Sequence, residues 1–313
     1  MSLGGKILTR YDLHIHTVLS DGQLSPYSII EKAKREGLET ISITDHETII
    51  HFKEFKGFAD NCGIELIPGI EINVGGYYNY HFLGYGIQDF DKLEKYLLEL
   101  KKANEIVCLK TLDLLKEKFN ISFSAEDLIK KHSKTGVLDK KVIVKELIAR
   151  GYARGTKEAY DLYIGRDAPA YCPIKKISDE QVIKLIHDCG GICVWAHPTL
   201  AKYKIGEAEH DFDRAKCQEI AKRLSTLGLD GIEVYGSTTR EQQDFLKEIA
   251  AENNLVITGG SDFHEMQSGH ALGCQELTAF DICQIKGKME ERKEIYNKEN
   301  KVNERFSGQD KTF

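Results

Sequence analysis

The feature that most restricts this chain is a recurring placement of histidines and carboxylates at the ends of short apolar runs. In order, these are Asp12-Leu13-His14-Ile15-His16, Thr44-Asp45-His46, Pro68-Gly69-Ile70-Glu71, Trp195-Ala196-His197-Pro198 and Ser261-Asp262-Phe263-His264. His81 opens a further apolar run, and Asp21 follows the first motif in Ser20-Asp21-Gly22. Barrels of alternating strands and helices carry their reactive groups at the carboxyl ends of the strands. Six of the eleven histidines fall in these motifs. Independent structural duties have no reason to converge there, so the motifs point to one shared mouth.

The runs between the motifs support an α/β chain. Candidate strands are Arg10–Ile15, Thr40–Thr44, Glu65–Ile72, His81–Gly84, Gly191–Ala196, Gly231–Tyr235 and Leu255–Thr258. Helical periodicity lies between them, at Ser28–Gly37, Ser178–Cys189, Ala215–Leu227 and Arg240–Glu252. Pro26 and Ser178 mark helix starts, and Gly37 and Gly190 mark helix ends. From Asp91 to Pro173 the alternation stops and helices alone are expected, from Asp91 to about Lys118 and over Ala125–His132, Lys141–Arg150 and Thr156–Ile164. The chain therefore divides into a discontinuous barrel (7–90 and 173–285), a helical insertion (91–172) and a polar C-terminal helix or tail (286–313).

Composition narrows the function. With 41% hydrophobic and 29% charged residues over 313 positions, the chain can bury a sizeable core. No apolar run approaches the roughly 20 residues that cross a bilayer, and no signal-peptide pattern opens the chain, so the expected setting is cytoplasmic, with no membrane contact. The eight cysteines include no CxxC pair, which favours free thiols over a thiolate zinc site or a disulfide framework. A net charge of −6 disfavours a broad nucleic-acid surface. It leaves room for an anionic substrate, since bound cations reverse a local field.

Strand geometry explains how the motifs cooperate. Side chains two apart on a strand share a face, so His14 and His16 reach one ion. Asp262 and His264 do the same if their strand stays extended that far. A hairpin centred on Gly76 sets Glu71 directly opposite His81. Asp12 and Asp45 read as turn residues or as partners orienting the imidazoles. His51, His132, His187, His210 and His270 are assigned to packing or capping, His187 as a cation near a helix end.

The ordered set Asp12-Leu-His14-Ile-His16, Ser20-Asp21-Gly22, Thr44-Asp45-His46, Pro68-Gly-Ile-Glu71, His81-Phe-Leu-Gly-Tyr, Ala196-His197-Pro198 and Gly260-Ser-Asp262-Phe-His264 resembles the PHP (polymerase and histidinol phosphatase) family. The match runs from about Tyr11 to Gly273. The resemblance implies an α/β, distorted seven-stranded (β/α) barrel with a helical insertion. It also implies a trinuclear centre in which His14, His16, Glu71 and Asp262 hold one ion. Asp21, His46 and His264 hold the second, and Glu71, His81 and His197 the third. Family members similar to this chain act on nucleoside 3′,5′-bisphosphates or on RNA 5′ ends. The implied activity is a metal-dependent phosphoesterase of that kind, the alternatives being a small-metabolite phosphatase of the histidinol phosphate type or a non-catalytic metal-binding module. A donor set without thiolate suits two or three Mn, Fe or Zn ions, with in-line attack on phosphorus by a metal-bridging hydroxide. Expected partners are a phosphorylated small molecule, a nucleotide or a short RNA 5′ end; no protein partner can be inferred. In the insertion, relatives carry Gly-Arg-Pro-His where this chain reads Asp139-Lys140-Lys141-Val142, leaving Lys140 as a candidate phosphate contact. Arg166, in Gly165-Arg166-Asp167-Ala168-Pro169, is the other, because its planar fork suits phosphate.

Overall fold

In the computed structural model, residues 10–49, 52–74, 78–133, 136–200, 202–205, 208–210, 212–264, 271–273 and 276–307 are described. In chain order the elements begin β1 (Tyr11–Ile15), α1 (Pro26–Glu36), β2 (Thr40–Ile43), α2 (Phe52–Cys62), β3 (Glu65–Asn73), β4 (Tyr78–Asn79) and β5 (His81–Tyr85). Next come α3 (Phe90–Phe119), α4 (Ala125–His132), α5 (Lys140–Ala149) and α6 (Thr156–Ala159), the last running into a π turn at Tyr160–Ile164. The chain continues through α7 (Asp179–Asp188), β6 (Ile192–Trp195), β7 (Lys202–Ile205), β8 (Ala208–His210) and α8 (Arg214–Thr226). It ends with β9 (Gly231–Tyr235), α9 (Arg240–Glu252), β10 (Val256–Gly259) and α10 (Ala279–Ser307).

Local chemistry sets the helix ends. Ser25 caps α1 by accepting from the Ser28 amide, Pro26 occupies the first turn, and Gly37 closes the helix at φ 77°. Capping boxes start α7 (Ser178 with Gln181) and α9 (Thr239 with Gln242).

Two compact units result, one of residues 1–94 with 177–313 and the other Lys95–Lys176. The first holds a seven-stranded sheet in the order β1-β2-β3-β5-β6-β9-β10. All neighbours run parallel except β5, which is antiparallel to both β3 and β6. The sheet curls until its edges almost meet: Ile15 bridges Phe263, and the His16 amide donates to the Phe263 carbonyl at 2.9 Å. This nearly closed barrel is the expected fold. Strands β1, β6 and β9 are buried throughout, with Leu13, Phe82, Val194, Trp195 and Val234 fully enclosed. Each such side chain contributes roughly 1.5–3 kcal/mol through burial.

A second sheet of β4, β7 and β8 was not foreseen. Its strands span two to four residues and are mostly polar, too short to show a period of two. The C-terminal segment is a helix beginning at Ala279. Arg292 anchors it, donating to Asp230 from Nε at 3.0 Å and from a terminal nitrogen at 2.7 Å. The same buried carboxylate accepts from the Cys193 amide and meets His187 Nε2 at 2.7 Å. His187 thus has a specific partner rather than a generic place at a helix end.

The second unit is helical. Leu115, Ile143, Leu147, Ala159 and Ile164 form its core. Asn104 on α3 exchanges two hydrogen bonds with the Lys175 backbone, 2.7 and 2.9 Å long. Glu146, also buried, gathers Lys131, His132 and Arg150.

Candidate metal centre

Every parallel strand ends at one mouth, and β5, running backwards, starts there. His14 is on β1 and His16 just beyond it; His46 follows β2; Glu71 is in β3; His81 opens β5; His197 follows β6; Asp262 and His264 follow β10. Asp21 returns to the same rim on the turn after His16, closed by the Gly22 amide donating to Thr17. A Cβ on Gly22 would lie 2.5 Å from the His16 carbonyl oxygen, so only glycine permits this return.

Glu71, almost fully buried, is the hub. Its Oε2 lies 3.3 Å from His14 Nε2, 3.1 Å from His16 Nε2 and 3.3 Å from His46 Nδ1. Its Oε1 lies 2.7 Å from His81 Nδ1 and 3.0 Å from His197 Nε2. Asp262 Oδ1 sits 3.4 and 3.2 Å from the Nε2 atoms of His14 and His16. Asp21 reaches His264 Nε2 at 3.3 Å and His46 Nε2 at 3.6 Å. Four overlapping groups have converging donor atoms: His16-Asp21-His46-His264, His14-His16-Asp262, His14-Glu71-His197 and His46-Glu71-His81. All nine residues singled out in the sequence are therefore drawn together. The groups overlap rather than divide into three: His16 and His46 each join two of them, and His81 and His197 share Glu71 Oε1.

Two expectations are corrected. Asp262 and His264 do not sit on an extended strand, because β10 ends at Gly259 and Asp262 turns to φ 51°. That turn separates them into different groups. Glu71 is opposite Leu83, and His81 is opposite Asn73. The register is two residues from the expected one, and since a shift of two preserves the face, His81 still reaches Glu71.

Burial and charge compete inside the cluster. Burial opposes a charged His14, but Glu233, Glu71 and Asp262 around it prevail and hold its pKa well above the ordinary histidine value. For His16, burial is likewise outweighed by Asp262 and Glu71, and its pKa rises to about 9. Burial wins at His46, which falls to about 3 against the pull of Glu71. Burial would raise Glu71, but the imidazoles of His14, His16 and His197 hold it well below the usual carboxylate range. Without cations, the surrounding carboxylates thus favour the protonated forms of His14 and His16, and burial favours a neutral His46.

Asp12 and Asp45 pin loops rather than orient imidazoles. Asp45 accepts from the Thr17 amide and hydroxyl and from Ser20, at 2.6–2.7 Å. Outside the nine, Asn73 and Ser20 approach His46 and His16 at 3.4 and 3.5 Å, and a buried acid makes the shorter contact: Glu233 Oε1 lies 3.0 Å from His14 Nδ1 while its Oε2 accepts the His197 amide at 2.7 Å. Its sequence signal was a single acid inside an otherwise apolar strand, Gly231-Ile232-Glu233-Val234-Tyr235. Lys140 and Arg166 belong to the second unit. Lys140 Nζ is 3.4 Å from the Ile164 carbonyl and 4.9 Å from the centre of the Tyr171 ring, and burial lowers its pKa; Arg166 is exposed.

Comparison with known proteins agrees with this geometry. A 5′-3′ exoribonuclease of Haemophilus influenzae is 28% identical over 262 residues, covering 82% of this chain and 90% of its own. A 3′,5′-nucleoside bisphosphate phosphatase of Chromobacterium violaceum is 23% identical, covering 84% of this chain and 90% of its own. A solved chain from Bifidobacterium adolescentis, given as a candidate metal-dependent phosphoesterase, superposes with a TM-score of 0.66 at 25% identity, over 88% of this chain and 94% of that one. The PHP domain matches residues 12–227, and with the barrel this places the chain in the PHP domain family, built as one of its metal-dependent phosphoesterases.

Proposed function

We propose that the chain hydrolyses phosphate esters of nucleotides, a nucleoside 3′,5′-bisphosphate or the 5′ end of an RNA, with divalent cations held by His14, His16, Asp21, His46, Glu71, His81, His197, Asp262 and His264. The observation that carries this reading is Glu71: one buried carboxylate whose two oxygens face five imidazoles, the arrangement of a bridging ligand. The donor set is imidazole and carboxylate alone, which fits Mn, Fe or Zn. Cations held there supply Lewis-acid polarisation of the phosphoryl group and activation of water.

The residues themselves do three things. Glu71 keeps its negative charge under burial because imidazoles surround it, so it stays available as a ligand. His14 and His16, fully buried, form the rigid floor. Asp21 and His264, with side chains 39% and 34% exposed, stand on the solvent side where a phosphate arrives. Among the described residues, the cysteines at 62, 108, 172, 189, 193, 217 and 283 are free thiols, Cys274 lying outside them, which supports the cytoplasmic setting.

The test is phosphate and mononucleotide release by the Mn²⁺-loaded protein from adenosine 3′,5′-bisphosphate, a 5′-phosphorylated oligoribonucleotide and histidinol phosphate, with His14→Ala as control. Turnover of either nucleotide substrate, lost in the variant, supports the proposal. Turnover of histidinol phosphate alone overturns the substrate class.

A further inference from the structure

Glu233 is none of the nine, yet it touches two of the positions that carry them. Its side chain is only 2% exposed. One oxygen faces the His14 ring at Nδ1, and the other accepts the backbone amide of His197. His197 has φ 29°, in the left-handed region that a residue with a side chain rarely occupies. A carboxylate that ties down a strained backbone and an imidazole together does more than fill space.

Resting on the metal-centre reading above, we propose that Glu233 is a positioning residue that selects which nitrogen His14 offers to a cation. The two groups facing it, His14 Nδ1–H and the His197 amide, are both donors, and only a carboxylate presents two acceptors to them. Once the ring is neutral, as ligation requires, donation from Nδ1 leaves Nε2 as the nitrogen without a proton, and Nε2 is the atom pointing at His16, Glu71 and Asp262.

The consequence is sharp for Glu233→Gln, which keeps the volume and the length. Glutamine has one acceptor. The His197 amide is held by the backbone and retains it, so the glutamine NH₂ turns to His14. A donor at that place forces Nδ1 to accept and moves the ring proton to Nε2, where it blocks ligation. The variant therefore disables the two groups that contain His14 and spares His16-Asp21-His46-His264 and His46-Glu71-His81.

The experiment is equilibrium dialysis of the full chain against Mn²⁺ and Zn²⁺ with metal analysis, alongside thermal unfolding of the cation-free protein. Wild type, Glu233→Gln, His14→Ala and the double variant are compared. The expected result is that Glu233→Gln loses at least one tightly held cation per chain, or weakens it by at least about 10-fold, while another is retained. Adding Glu233→Gln to His14→Ala should change cation content no further. A full complement held at wild-type affinity in Glu233→Gln would overturn the assignment. So would loss of every cation together with a collapsed cation-free melting temperature, which marks a purely structural role. If wild type binds no cation, it is the metal-centre reading that fails.

Discussion

The carboxylate of Asp12 accepts from both the amide and the hydroxyl of Ser261, at 2.9 and 2.7 Å, across 249 positions of sequence. It also accepts from the Gly273 amide at 2.8 Å. The first strand is thereby sewn to the loop that delivers Asp262.

Asp12→Ala should therefore act on stability and on the site together. Three amides, of His14, Ser261 and Gly273, and a hydroxyl lose their acceptor in a buried place, each at about 1–3 kcal/mol. Thermal unfolding in the presence of chelator should show a loss of about 3 kcal/mol or more, and dialysis a weaker cation affinity. Unchanged unfolding would show that the loop is held by other contacts.

Glu71→Gln should reduce turnover by more than about 100-fold, beyond what loss of an outer partner costs. An amide offers one oxygen where five imidazoles share two. Steady-state kinetics across Mn²⁺ concentrations tests this, and recovery of full activity at high Mn²⁺ would contradict it.

Cation uptake should release protons. Without cations, His16 keeps its proton up to about 9, and cation binding displaces it. Calorimetric heats at pH 7.5 should depend on the buffer's ionisation enthalpy, and affinity should fall as pH falls. Chelation should abolish turnover and Mn²⁺ should restore it. Buffer-independent heats would count against the proton-loaded cluster.

Gly260 packs against His14 so closely that a Cβ would lie 2.3 Å from the His14 Cβ and amide nitrogen. Gly260→Ala should push β1 aside, costing about 1–3 kcal/mol and loosening the cation groups that contain His14. Denaturant unfolding and dialysis read both effects; a neutral substitution would mean that the strand has room to move.

Glu146 supplies a pH test away from the mouth. Its hydrogen bonds with Lys131, His132 and Arg150 outweigh burial and lower its pKa from 4.5 to about 2. A depressed carboxylate contributes stability above the unfolded value and loses it as pH falls through the folded one. The stability difference between wild type and Glu146→Gln should be constant above about pH 5 and shrink toward pH 2. Hydrogen exchange in residues 95–176 locates it. A difference independent of pH would show that the charge is idle.

The sequence was most legible where chemistry repeats. His14 and His16 declared a shared face through strand alternation, the spacing of apolar runs declared an α/β chain, and the seven-stranded barrel was what the family resemblance implied. Glu71 and His81 declared a hairpin but not its register, because turn geometry sets register and a shift of two leaves the pattern of faces unchanged. Asp262 was misjudged since nothing in Gly-Ser-Asp-Phe-His announces a left-handed residue. Glu233 was passed over because one acid in an apolar strand has no partner visible in sequence: His14 lies 219 positions away.

The reversed direction of β5 also orders how the site comes together. His46, Glu71 and His81 all fall within one short stretch, and Glu71 meets His81 across only ten positions. Glu71 meets His197 across 126, and His14 meets Glu233 across 219. Closing a longer loop costs more chain entropy, and non-local contacts form late. The corner of the mouth built on Glu71 is thus the part cheapest to assemble, and a nascent chain can complete it long before the last strand arrives to finish the rest.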